Sequence, residues 1–375
     1  MWPVDPSPAA LAGGVLTVDL DALVANWRDL DARARADGGW CGAVVKADAY
    51  GVGVAHAAPA LWRAGCRVFF VAGPDEALAL RPLLPQAAIQ CLGGPWPGTA
   101  DALADAGIVP VLNTPEQIAE WRALAARREA PQAAVLHVDT GMNRLGLSAA
   151  ELEALLADPQ GLEGVRLHGV MSHFACADAP DHPLTARQIA AFRTVRERFP
   201  GVTPSLANSP GLFRGPEARA GLGRPGIALY GGNPTPYTAN PMRPVAHVQG
   251  RILQVRQVDT PGTVGYGATC RVPAGARLAT VAVGYADGYL RAQSNAGSGV
   301  LAGRRVPVVG RISMDLTVFD VTGVPADAAR PGAWMTLMGE EPSVDAVAEN
   351  AGTIPYEILT ALGPRYHRVH TGGGG

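Results

Sequence analysis

From about residue 40 to residue 230 the chain alternates short apolar or β-branched runs with longer amphipathic segments, and this alternation restricts the fold more than any other feature. Eight such runs occur: Gly42–Val45, Arg67–Val71, Ala88–Leu92, Ile108–Leu112, Ala133–Asp139, Val165–Met171, Thr203–Leu206 and Pro225–Leu229. Segments with helical spacing, such as Pro115–Arg128 and Leu184–Phe199, fall between them. Parallel strands need such crossovers, and eight of them in roughly 200 residues suit a closed barrel better than an open doubly wound sheet. After Gly231-Gly232-Asn233-Pro234 and a Pro-rich stretch to Pro244, the period changes to two over Val245–Val258, Leu278–Val283, Val306–Val309 and Leu316–Val321. The expected fold is therefore α/β, a (β/α)8 TIM barrel over residues 12–238 followed by a mostly β domain over 239–375, with residues 1–11 packing against the second domain. Short helices are expected after Ser343 and from Thr353, with Pro355 in the first turn of the latter. Gly372–Gly375 reads as a frayed tail.

A formal charge of −2 leaves no cationic excess to displace counterions from a nucleic acid or to hold an anionic membrane. Five cysteines, Cys41, Cys66, Cys91, Cys176 and Cys270, form no CxxC pair, which argues against a disulfide framework and against a thiolate metal site. No metal is expected. The N-terminus has no basic region before an apolar run, and no stretch approaches the ~18 apolar residues of a membrane span. A cytoplasmic location is expected.

Of the 31 basic residues, 30 are arginine and one, Lys46, is lysine. Arginine replaces lysine wherever charge suffices, but a guanidinium forms no imine with an aldehyde and does not readily lose its proton. Lys46 is therefore a candidate reactive amine, set against the alternative of a lysine left on a solvated face. In a barrel the catalytic groups come from the C-terminal ends of the strands. Lys46 and Tyr50 follow the first run, Arg144 the fifth, His173 the sixth and Asn208-Ser209 the seventh, while Arg224-Pro225-Gly226-Ile227 opens the eighth. Late-strand loops with Ser and Gly can turn backbone N–H groups toward a phosphate. An amine, a phosphate cradle and cationic side chains in one mouth suggest pyridoxal 5'-phosphate, whose aldehyde forms an imine with lysine.

The chain also resembles the bacterial alanine racemases, the two-domain, pyridoxal-phosphate-dependent family, over nearly its whole length from Thr17 to Leu359. The most specific pieces are Val45-Lys46-Ala47-Asp48-Ala49-Tyr50-Gly51, Gly141-Met142-Asn143-Arg144-Leu145-Gly146, Arg224-Pro225-Gly226-Ile227, Gly265-Tyr266-Gly267 and Gly284-Tyr285-Ala286-Asp287-Gly288. The resemblance implies interconversion of L- and D-alanine by two-base proton transfer on an external aldimine, supplying D-alanine for peptidoglycan. It makes Lys46 the cofactor-bearing base and Tyr266 the opposite base, since inversion needs a proton donor on each face of a planar carbon. His173 and Arg224 would support the phenol, with Arg224 also facing the pyridine nitrogen. Tyr50, Ser209, the Gly226 and Ile227 amides and Tyr356 would hold the phosphate, and Arg144 and the Met314 N–H the substrate carboxylate. Tyr266, Tyr285 and Met314 would reach the partner's mouth in a head-to-tail homodimer.

Two departures stand out. Many relatives carry a carbamylated lysine seven positions before the motif arginine; here that residue is His137, so Arg144 needs another acceptor, a water or an anion. Ser313 stands where many relatives have Cys, and Cys270 where an aromatic is common, so affinity and substrate entry are open to difference. The rival readings are a broad-specificity or serine racemase with the same residues, a pyridoxal decarboxylase on the same architecture, and a non-catalytic cofactor carrier.

Overall fold

In a computed structural model, which describes residues 11–219 and 221–374, the chain forms nineteen strands among the described residues. In order they are β1 (Gly14–Asp19), β2 (Trp40–Cys41), β3 (Ala43–Val44), β4 (Val68–Val71), β5 (Ala88–Cys91), β6 (Val109–Leu112), β7 (Gln132–His137), β8 (Val165–Met171), β9 (Thr203–Ser205), β10 (Leu222–Gly223), β11 (Ala246–Gln257), β12 (Gly262–Val264), β13 (Cys270–Val272), β14 (Arg277–Val281), β15 (Ser298–Leu301), β16 (Arg304–Pro307), β17 (Thr317–Asp320), β18 (Trp334–Met338) and β19 (His367–Thr371). Strands β3 to β9 pair in parallel in sequence order, with helices such as Pro115–Arg127 and Pro183–Glu197 crossing between them. Those two helices begin with proline at the first turn and are capped by Thr114 and His182, whose side chains accept from Gln117 N and Leu184 N.

The barrel closes through β10, which pairs in parallel with β2. Gly42 N donates to Gly223 O and Val44 N to Pro225 O, both at 3.0 Å, while Arg224 N reaches Ala207 O at 2.9 Å. The eighth strand thus lies at 222–223, not over the expected Pro225–Leu229. Residues 227–230 are a buried 3-10 turn, because a short apolar run has no period that separates a buried strand from a buried turn.

The second sheet runs β16-β15-β18-β11-β1-β19, with β14 bridging β11 and β17. Strand β1 pairs antiparallel with β11 and parallel with β19, so the segment expected to start the barrel unit is hydrogen-bonded into this sheet. Its end is the Asp19 cap of helix Leu20–Arg35, which packs against the barrel through Leu23, Trp27 and Leu30. Asn26 on that helix donates to Leu229 O and Arg243 O and accepts from Arg243 N, fastening the connection between barrel and sheet. One apolar core runs from Leu16 through the barrel to Leu359. Helix Val344–Asn350 is capped by Ser343 as expected; the next, Pro355–Thr360, is preceded by Ile354 rather than capped by Thr353. The expected packing of residues 1–11 falls, Leu11 excepted, outside the described residues. The glycine tail is not frayed at Gly373, which donates to Asp21 and accepts from Arg63.

Candidate active site

At the end of β3 the backbone turns the wrong way. Ala47, Asp48, Ala49 and Tyr50 all have φ between 52° and 55°, and the turn ends at Gly51 with φ 84°. Left-handed conformation costs L-residues about 1–2 kcal/mol each, so four in succession persist only where neighbours dictate them. Here they do: Glu76 accepts from Ala47 N and Ala72 N, both at 2.7 Å, Asp48 accepts from Val54 N at 2.8 Å, and Arg368 donates to Gly51 O at 2.6 Å. This turn starts Lys46 at the barrel mouth, half-buried. Burial and the Arg144 guanidinium hold its amine below the ordinary lysine range, against a smaller opposing pull from Glu76. A larger neutral fraction makes a better nucleophile.

The same turn aims Tyr50 inward, where its ring stacks on Tyr230 with centroids 4.6 Å apart and tilts against Tyr356 at 6.0 Å. Tyr230 is in turn fixed by its hydroxyl on Val44 O at 2.8 Å. Burial raises the Tyr50 phenol, and burial with Asp178 pushes Tyr356 up to about 12, so both hydroxyls remain donors at neutral pH. Gly226 lies against the Tyr50 hydroxyl, and any Cβ there would overlap it. Ser209 Oγ accepts from Gly226 N at 2.9 Å and Ala228 N at 3.2 Å, while the Ile227 amide has no partner among the described residues. Tyr50, Ser209, Gly226, Ile227 and Tyr356, expected as a phosphate cradle, are thereby brought together, with Tyr230 and the Ala228 amide as supporting neighbours the sequence did not reveal.

Arg224 is buried at 3% exposure, with no carboxylate partner among the described residues. It donates to Ser205 Oγ at 2.5 Å, Ser172 O at 2.6 Å and His173 Nδ1 at 3.2 Å, and burial lowers it to about 9. A guanidinium only donates, so His173 Nδ1 accepts and its proton sits on Nε2. Burial, then Arg224 and Arg144, keep that imidazole well below its usual range and hence neutral. Arg144 rides on an exposed loop after β7, shaped by Asp139, whose carboxylate accepts from Gly141 N, Met142 N and Asn143 N at 2.8–3.0 Å.

Tyr266 and Met314 are elsewhere, on a loop cluster of the second sheet. There Tyr285 N donates to Ser313 O at 3.1 Å and Ala286 N to Met314 O at 3.0 Å, with Arg365 clamping Asp287 and Asp315 beneath. Tyr266, Tyr285 and Met314 are 73%, 40% and 54% exposed, and among the described residues no hydrogen bond or ring contact joins Tyr266 to Lys46, His173 or Arg224. No group of His, Cys, Asp or Glu suited to a metal occurs among the described residues.

The donor set fits pyridoxal phosphate: an amine of lowered basicity, an amide and hydroxyl cradle for the phosphate, and a carboxylate-free guanidinium for a ring nitrogen. Known proteins agree with that fit. Family models described as alanine racemase, N-terminal domain and C-terminal domain match residues 18–234 and 245–370. The alanine racemase of Rhodospirillum rubrum is 55% identical over 362 residues, covering 96% of each chain. The crystal structure of alanine racemase from Bartonella henselae with covalently bound pyridoxal phosphate superimposes with a TM-score of 0.91 at 38% identity, over 96% of this chain and 100% of that one. The enzyme of Streptomyces coelicolor A3(2) gives 0.90 at 35%, over 97% and 100%. Fold, sequence and the chemistry of the barrel mouth converge: the chain belongs to the alanine racemase family.

Proposed function

We infer that the protein is a pyridoxal-phosphate-dependent alanine racemase that interconverts L- and D-alanine and supplies D-alanine for peptidoglycan. The observation that carries the reading is the chain's one lysine, lowered in basicity beside Arg144 at a mouth built around Tyr50, Ser209 and the buried Arg224. When bound, the cofactor supplies an aldehyde for this amine and a ring that takes up charge from the substrate α-carbon.

The residues around it divide the remaining work. Lys46 Nζ holds or releases the α-proton on one face of the substrate. Arg144 would grip the carboxylate, and Arg224, which keeps its own proton at neutral pH, would donate to the ring nitrogen without protonating it. The proton on the opposite face belongs to Tyr266 of the partner subunit. His173 Nε2–H, its tautomer fixed by Arg224 on Nδ1, would donate to that phenol oxygen.

The homodimer is part of this proposal. Its support is the exposed cluster of Tyr266, Tyr285, Met314 and Leu316, whose Tyr285 and Met314 turns are tied by backbone bonds and by Arg365 and which, among the described residues, is joined to no cofactor-binding residue of its own chain. A head-to-tail arrangement would let the Met314 amide and Tyr285 complete the partner's substrate pocket. No helix among the described residues is long and apolar enough to cross a membrane. All five cysteines are free, three of them buried, which favours a reducing, cytoplasmic setting.

The test is α-proton exchange of each alanine enantiomer in deuterium oxide for the parent, Lys46→Ala and Tyr266→Phe. Loss of most racemisation in both variants, with exchange falling unevenly between enantiomers, is expected. Near-parental rates in Tyr266→Phe would overturn the two-base assignment. Equal turnover of serine by the parent would move the reading to a broad-specificity racemase.

A further inference from the structure

His137 ends β7 inside the barrel, 7% exposed, with its Nδ1 2.8 Å from Asn113 Oδ1. The Asn113 amide spends its two hydrogens on Leu92 O and Val111 O, at 3.1 and 2.9 Å, so the oxygen facing the ring can only accept. The Nδ1 atom therefore carries the proton, and Nε2 presents a lone pair. Among the described residues nothing donates to it.

The loop that carries Arg144 closes directly on this ring. A Cβ on Gly146, where φ is 103°, would stand 3.0 Å from His137 Cδ2 and 3.1 Å from Cγ, so only glycine lets the loop approach this closely. The neighbouring carboxylates are already committed: Asp139 to three amides of the loop, Glu76 to Ala47 N and Ala72 N. The charged and titratable groups facing His137 are Arg224, Arg144, Asp139 and His173. Burial, Arg224 and Arg144 bring the imidazole down to about 4 against the opposite pull of Asp139, so it is neutral in the working range. An imidazolium here would repel the guanidinium; a neutral ring offers it an acceptor.

We propose that His137, held by Asn113 as the Nδ1–H tautomer, is a positioning residue for Arg144, its Nε2 lone pair accepting from the guanidinium that grips the substrate carboxylate. The inference rests on Arg144 as the carboxylate ligand. It assigns the orienting role to a neutral side chain of the protein itself, with no bound anion required.

The test combines spectroscopy and kinetics on the cofactor-loaded enzyme. With 15N-labelled histidine, His137 is expected to show a protonated Nδ1 and an unprotonated Nε2 from pH 8 to about 5, following its lowered proton affinity. His137→Leu is expected to raise KM for alanine by about tenfold or more with a smaller change in kcat, and His137→Gln, which restores an acceptor, to bring it back to within a few-fold. Asn113→Asp places a carboxylate on Nδ1 and favours the imidazolium, so KM should climb as pH falls from 8 to 6, a limb absent from the parent. Chloride should leave the parental KM unchanged. A charged imidazole at pH 7, a bare Nδ1, equal losses in the Leu and Gln variants, or a chloride-dependent KM would each overturn the proposal. An unchanged KM in Arg144→Ala would instead remove the carboxylate assignment, an outcome that the nitrogen spectra separate from the first.

Discussion

Adding one methyl group at Gly226 tests whether the phosphate cradle is as tightly built as its geometry indicates. The new Cβ of Gly226→Ala would overlap the Tyr50 hydroxyl and stand 2.9 Å from Cζ. The ring has little room to withdraw, because it is stacked on Tyr230, which is anchored on Val44 O, and because its backbone belongs to the left-handed turn. Overpacking of this kind costs about 1–3 kcal/mol. Urea unfolding of the cofactor-free protein at fixed concentration should show that loss as a lower midpoint at unchanged slope. Removing the hydroxyl should relieve most of the collision, so Gly226→Ala combined with Tyr50→Phe should be less destabilised than the two single changes summed, by about 1 kcal/mol. Additivity within about 0.5 kcal/mol would show that the two groups do not touch as described, and the cradle would need another geometry.

Other consequences are as direct. Between pH 6.5 and about 4 an unfolded histidine binds a proton that native His137 refuses, so stability should fall with falling pH across that window, by up to about 3 kcal/mol from this residue; thermal melts of His137→Gln should show a flatter acid limb. Asp139→Ala leaves three loop amides without their acceptor, and KM for alanine should rise while Lys46 still takes up the cofactor, as read by absorbance. Glu76→Gln weakens the acceptor that holds Ala47 N and Ala72 N, which should slow cofactor attachment to Lys46 and lower the unfolding free energy by about 1–3 kcal/mol. Arg365→Ala should loosen the Tyr285 and Met314 turns, and sedimentation should then show weaker association of subunits.

Seven barrel strands were legible as apolar runs recurring between helical segments, and the β-rich second half as a change to alternation with period two. The eighth strand was not: Leu222–Gly223 is two residues with a single apolar side chain, while the louder apolar run Ile227–Leu229 is a turn. The pairing of strand β1 was not legible either, since its partners β11 and β19 lie more than two hundred residues away, beyond any local pattern. At the site, Lys46, His173, Ser209 and Arg224 stood out because their chemistry is rare or their position at a strand end is diagnostic. Glu76, Asn113 and Asp139 did not, since they act through backbone amides and second partners, and nothing in Ala47-Asp48-Ala49-Tyr50 announces four left-handed residues.

In the proposed dimer one chain supplies Lys46 and its partner supplies Tyr266 to a shared site. Mixing inactive Lys46→Ala and Tyr266→Phe subunits after reversible dissociation tests it most directly. Half of the reassembled dimers should be mixed, each with one intact site and one doubly substituted site, so racemase activity should return to about a quarter of the parental value. A mixture that stays as inactive as either variant alone would contradict the shared site.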